Sequence, residues 1–298
     1  MWLHRYALLT AAATFCLIIA GALVTSHEAG LAVPDWPLSY GQLMPPMVGN
    51  IFWEHGHRMV AAFVGLLTIG LAVWLSRREP RRWVRRLGWM ALGAVVLQGL
   101  LGGLTVLFLL PRPVSIAHAS LAQLFFCLTV SLALFTSRGW RQERPLRRES
   151  SEPPLRRLAV ATTAAVFLQL MLGAAYRHDA AGILPHLVGA AVVTIGTACV
   201  WGRVRKEHGD EPALRLPAAI LRSLLILQLL LGGAAYWTRV ATAEAPQPQL
   251  IMVALTVAHV ATGALVLAAS LIVTLQAYRR LAPREAQAAM VSAAEKAA

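Results

Sequence analysis

The chain has 298 residues, of which 57% are hydrophobic and 14% charged, where an ordinary soluble domain carries about 25% charged residues. About 170 apolar residues fill eight spans of about 21 residues each almost without remainder, which excludes a disordered chain, a fibrous protein and an ordinary water-soluble enzyme. The formal charge of +13 would suit nucleic acid, so the position of the charges has to be settled before their sign is read.

In chain order, Arg5 precedes an apolar stretch longer than a signal-peptide core and without a small-residue cleavage site, which reads as a retained first helix. Essentially uncharged runs follow one another at roughly 6–26, 56–76, 87–110, 114–137, 157–176, 183–202, 216–237 and 250–277. Each is long enough to cross about 30 Å of hydrocarbon at 1.5 Å per residue. Each must be a helix, because an isolated strand leaves its backbone groups unpaired in lipid. Arg222 lies near a span start, where it can snorkel outward. Cys16, Cys127 and Cys199 all sit in apolar runs, so no loop disulfide and no soluble zinc site is available.

Of the 27 Lys and Arg, only Arg58, Arg112, Arg177 and Arg239 fall on one side of these spans. The rest occupy the N-terminus, the 77–86 and 138–157 loops, the 203–222 segment and the C-terminus, which is the positive-inside pattern. Both termini are therefore expected in the cytoplasm, and the segment from about 27 to 53 outside. The charge is a topology signal, and the partner it implies is the lipid bilayer. No basic cluster is interleaved with aromatics as a nucleic-acid surface would need.

The third span carries Leu97-Gln98-Gly99-Leu100-Leu101-Gly102-Gly103. The seventh repeats six of these seven positions as Leu227-Gln228-Leu229-Leu230-Leu231-Gly232-Gly233, and the fifth has a weaker copy, Leu168-Gln169-Leu170-Met171-Leu172-Gly173-Ala174. Such similarity predicts an all-α polytopic membrane protein of two duplicated four-helix bundles. The first half is expected over 1–150 and the second over 151–281. A cytoplasmic tail over 282–298, Ala-rich and solvated or disordered, follows.

Four of nine histidines lie in or at the mouth of spans, one on each even-numbered span: His57, His118, His186 and His259. Each precedes the first basic residue at the cytoplasmic end of its span by about 17–20 residues, roughly 25–30 Å of helix. All four thus sit level near the outer membrane edge. One imidazole in a membrane helix is often a hydrogen-bond partner. Four at equal depth on equivalent helices suit a different use, since two neutral imidazoles on facing helices grip an iron macrocycle between them. With no Cys or carboxylate alongside every histidine, zinc is less natural. One haem per half follows, with His57 paired to His118 and His186 to His259; pairing across the halves is the alternative. The glycine pairs Gly102-Gly103 and Gly232-Gly233 give either a flat ring access to the backbone or two helices a close approach.

The halves differ. Glu54 lies three residues before His57 and shares its face, and Arg58 follows; Pro185 precedes His186 and Leu187 follows it. The first outer segment, 27–53, is much longer than its counterpart at 177–182. A carboxylate beside an iron ligand can move protons. It can also simply pair with Arg58 at i+4, worth about 0.2–0.5 kcal/mol. The asymmetry suggests that one half performs chemistry and the other holds a permanent cofactor.

These residues resemble the haem A synthase family over nearly the whole chain. The carriers are Gly21-Ala22-Leu23-Val24-Thr25-Ser26 leading to Gly30-Leu31, then Pro34-Asp35-Trp36-Pro37-Leu38, Glu54-His55-Gly56-His57-Arg58, His118-Ala119-Ser120, Pro185-His186 and His259. The resemblance implies an enzyme of the bacterial cytoplasmic (inner) membrane that oxidises a methyl group of haem O to a formyl group with dioxygen. It implies a substrate-haem site at His57, His118 and Arg58, Glu54 as catalytic carboxylate, and a haem b cofactor on His186 and His259. It further implies an electron donor that the sequence leaves unidentified and, as a partner, the farnesyltransferase that makes haem O; an oligomer is compatible with it. Many members have a cysteine pair where Val33 and Ser39 stand here, so thiol chemistry in that segment does not carry over. Arg177, in Tyr176-Arg177-His178, either binds haem propionates or is solvated. Two rivals use the same residues differently: a non-catalytic dihaem electron carrier, and a transporter with a midplane site. No proposed span has a mid-depth carboxylate to serve the latter.

Overall fold

The computed structural model describes residues 1–142, 145–149 and 151–282. Among these, the regular secondary structure is helical apart from two isolated bridges. The helices are α1 (Trp2–Ser26), α2 (Gly49–Arg78), α3 (Arg82–Leu107), α4 (Arg112–Thr136), a short α5 (Arg138–Arg141), α6 (Leu155–Arg177), α7 (Ile183–Glu207), α8 (Pro212–Ala241) and α9 (Leu250–Arg280). All but α5 are long and apolar enough to cross a membrane, so the protein is a multi-pass membrane protein. The eight expected spans are all present. Several run past their apolar cores: α2 begins at Gly49 and so takes Glu54 and His55 into its first turns. Hydropathy gives no sign of α5. It is a single turn, started by Ser137, whose side chain accepts the Trp140 amide at 3.2 Å. The tail expected from 282 lies outside the described residues beyond Ala282.

Helix ends follow local chemistry. Pro at the second position opens α4, and Pro212 opens α8, where a missing N–H costs nothing. The Glu211 side chain accepts the Ala213 amide at 3.3 Å. Arg77 and Arg78 close α2, favourable for its dipole.

α1 packs on α2 and α4, and α3 on both α2 and α4; likewise α6 packs on α7 and α9, and α8 on both of these. Each set has its own apolar centre. Val64, Leu71, Phe125 and Leu132 lie in the first, and Leu155, Val166, Leu221 and Leu267 in the second. α1 and α4 meet α9 across the seam, filled by Ile18, Phe126, Ala264 and Ala268. Outward faces carry exposed Leu66, Leu100, Val192, Ile195 and Leu230, as a lipid-facing surface should.

The seam is also tied at both ends. At the end where α1 and α6 finish, Arg177 donates to Ser26 Oγ at 3.1 Å. At the opposite end, α9 is held to α5, which packs on α4: Arg279 Nε donates to the Trp140 carbonyl at 3.3 Å and Arg280 Nη2 to the Gly139 carbonyl at 3.2 Å.

Candidate functional site

His55 and His57 are two residues apart on α2, so they point to nearly opposite sides of the helix. His55 turns to the outer segment, where its Nδ1 lies 2.8 Å from Ser39 Oγ. His57 turns inward to α1. There its ring lies over Gly21: a methyl group on that glycine would stand 3.2 Å from His57 Cε1. The other three imidazoles repeat the arrangement. His118 lies over Gly102 of α3, His186 over Gly173 of α6 and His259 over Gly232 of α8, with corresponding distances of 3.2, 3.0 and 2.8 Å.

The structure brings one expected pair of histidines together and seats the other two in the first helix set. The ring centres of His186 and His259 are 6.2 Å apart and the planes are inclined by 72°. Two imidazoles sharing one metal at about 2 Å from each nitrogen have ring centres about 6 Å apart, so this pair fits a single iron. His57 on α2 and His118 on α4 both belong to the first helix set, and the Nδ1 atom of each is buried without a partner among the described residues. Glycine cradles beside all four rings, with orphaned ring nitrogens at His57 and His118, suit a planar iron macrocycle. Beside His186, an apolar groove of about 460 Å³ runs between α6 and α7, lined by Leu168, Gln169, Leu184, Pro185 and Val188.

Glu54 is buried, at 4% exposure, and both of its oxygens are engaged. Oε2 accepts the Val33 amide at 2.7 Å and Oε1 accepts Arg58 Nη2 at 2.6 Å. The i+4 pair read from the sequence is therefore present, but as part of a larger assembly. Arg58 Nη1 also donates to the Asp35 and Leu38 carbonyls, each at 2.8 Å. Arg58 faces this segment, which it fastens over Glu54. Val33 and Ser39 both belong to the assembly, Val33 through its backbone and Ser39 through His55. Trp36 completes it by lying on Gly103, where a methyl group would come within 2.6 Å of the indole.

Asp35 shapes the same segment. Its two oxygens accept the Tyr40 and Gly41 amides at 2.7 and 2.8 Å. The Gly41 amide, and after it the Tyr40 amide, hold the carboxyl below its ordinary range. Because the folded value is depressed, this contribution is complete above the ordinary carboxylate range and is lost as pH falls through the lower folded value. Asp35→Asn should abolish that acid dependence and reduce hydrogen-exchange protection at Tyr40 and Gly41 at neutral pH. Unchanged protection at both amides would contradict the assignment.

With this geometry in place, the chain can be set beside known proteins. Residues 4–185 match the family described as cytochrome oxidase assembly proteins (COX15-CtaA). The Heme A synthase of Symbiobacterium thermophilum is 30% identical over 261 residues, covering 78% of this chain and 84% of that protein. The Heme A synthase of Shouchella clausii is 29% identical over 238 residues, covering 76% and 74% respectively. The chain belongs to the haem A synthase family. The match to the family includes Glu54, His57 and His118 and ends one residue before His186.

In this family member, what holds the imidazoles is not evident from the sequence. There the repeated Gln-x-x-x-Gly spacing on α3, α6 and α8 reads only as a sign of duplication, and Gly21 only as part of a motif. The useful signal is that the glycine of each copy precedes a histidine on the next helix. The glycine pairs receive side-chain rings of the protein itself: His118 and Trp36 at Gly102 and Gly103, and His259 at Gly232. Gly233 has nothing within 4 Å of an added methyl. Gly232→Ala should therefore displace His259, costing about 1–3 kcal/mol, while Gly233→Ala leaves the stability unchanged. Tm, measured on the two variants side by side, checks this.

Proposed function

We propose that this protein converts haem O to haem A in a bacterial cytoplasmic membrane, with both termini inside. One methyl group becomes a formyl group through two dioxygen-dependent hydroxylations and loss of water. Each hydroxylation places one atom of dioxygen into a C–H bond and releases the other as water, using two electrons and two protons from a membrane reductant. The second yields a geminal diol, which loses water to leave the formyl group. The observation that carries this reading is a set of four matching imidazole seats with a buried carboxylate beside only one of them, His57.

His57 and His118 hold the haem O substrate, and His186 and His259 hold haem b. When bound, haem b supplies one-electron transfer. Glu54, one turn before His57, holds or releases a proton at the outer edge of the substrate site. Arg58 and the Val33 amide keep that carboxylate in place, and the segment around Trp36 excludes water from it. The farnesyltransferase that makes haem O is the natural supplier.

The test is to express the chain in membranes supplied with haem O, extract the haems and separate them by chromatography. Haem A is the expected product. A haem-bearing protein that leaves haem O unchanged would instead be an electron carrier, and a colourless one would favour transport.

A further inference from the structure

Away from the imidazole seats, three potential metal ligands meet where α7 ends. Glu207 closes that helix and His208 caps it, its amide donating to the Val204 carbonyl at 2.9 Å. Glu149 comes from the linker between the helix sets. One oxygen of each carboxylate and one ring nitrogen of His208 all lie within 4.8 Å of one another. His186 stands at the other end of α7, about 30–35 Å away along the axis, so this cluster is independent of the haem reading. It is independent of the cysteines too, which all lie in apolar runs.

Two of the three groups carry buried atoms without partners. His208 is 2% exposed, and its Nε2 is buried and unpartnered among the described residues. Glu207 Oε2 is in the same condition. The other oxygen, Oε1, accepts the Ser151 hydroxyl and pairs with Arg203 Nε at 3.3 Å. Glu149 Oε1 accepts the Leu155 amide. Buried polar atoms in folded proteins nearly always have a partner, and here two orphans belong to one cluster. Nearby cations turn to other groups: Arg156 lies 5.2 Å from the Tyr278 ring, and Arg147 pairs with Asp210 at 2.6 Å and Glu211 at 3.5 Å. Glu207 moreover sits at the C-terminal, negative end of its helix dipole, where a cation is favoured.

The geometry points to a binding site for one divalent transition-metal ion, held by Glu149, Glu207 and His208. Ions of the zinc and manganese type take imidazole nitrogen together with carboxylate oxygen, and three protein ligands leave room for water. Two ligands of one ion, each at about 2.0–2.2 Å, are about 3.3–4.4 Å apart. A contraction of about 1 Å therefore closes the set. The bound ion pins the linker between the helix sets to the end of α7, and it answers both orphaned atoms.

Manganese(II) is the probe, added to the tag-free, full-length protein in detergent after treatment with a chelator. Electron paramagnetic resonance of the free ion should show one equivalent bound per chain, displaced by zinc. The spin echo of the bound ion should carry modulation from an imidazole nitrogen. His208→Ala and Glu207→Gln should each weaken binding by about 10-fold or more, since even groups that merely orient a ligand contribute about 10–100-fold. Asp210→Asn, at an exposed acid just past the cluster, should leave binding unchanged. A folded wild type that binds no manganese, or binds it without nitrogen modulation, overturns the inference. So does an affinity that is unchanged in the folded ligand variants, or one weakened equally by Asp210→Asn, which marks a diffuse acidic surface. If neither ligand variant folds, the spin echo of the wild type decides.

Discussion

Glu54→Ala should abolish formyl-haem production, by about 10²-fold or more, while both haems stay bound. No hydrogen bond among the described residues joins the carboxylate to either pair of imidazoles; it is held by Val33 and Arg58. Its removal should therefore leave the imidazole seats standing. Glu54→Gln separates two roles. It keeps the shape and an oxygen to accept the Val33 amide, but it cannot hold a charge opposite Arg58. If Glu54→Gln retains full turnover, Glu54 serves only to anchor the outer segment. Chromatography of extracted haems, with haem content measured on the same samples, reads both outcomes.

His186→Ala should remove one haem absorbance together with activity, whereas His57→Ala should lose activity and retain the other haem. The 6.2 Å separation of His186 and His259 sets the two rings opposite one another, so an iron held between them would keep a single protein ligand once one is removed. His57 and His118 belong to the other helix set, with its own apolar centre. Reduced-minus-oxidised spectra of the two variants check this. Equal loss of both absorbances in each variant would count against separate sites.

The spans, the four histidines and Glu54 are legible in the sequence because each rests on a strong local signal. A run of apolar residues declares itself without reference to its neighbours, and an ionisable group inside such a run stands out. Where side chains meet between helices is not written in that way. From spacing alone Arg58 is an i+4 partner of Glu54, and it is; its donation to the Asp35 and Leu38 carbonyls depends on a long outer segment folding back, which no periodicity encodes. Trp36 on Gly103 is a similar case. The repeated glycines are visible in the sequence, yet their contact with the histidines depends on the facing of adjacent helices.

The ties at both ends of the seam have a consequence for how the two helix sets can move. Arg177 with Ser26 at one membrane face, and Arg279 and Arg280 with α5 at the other, oppose any rocking of one set against the other, the motion on which alternating access depends. A fixed separation is instead what tunnelling between two redox centres needs, since its rate falls steeply as the gap widens.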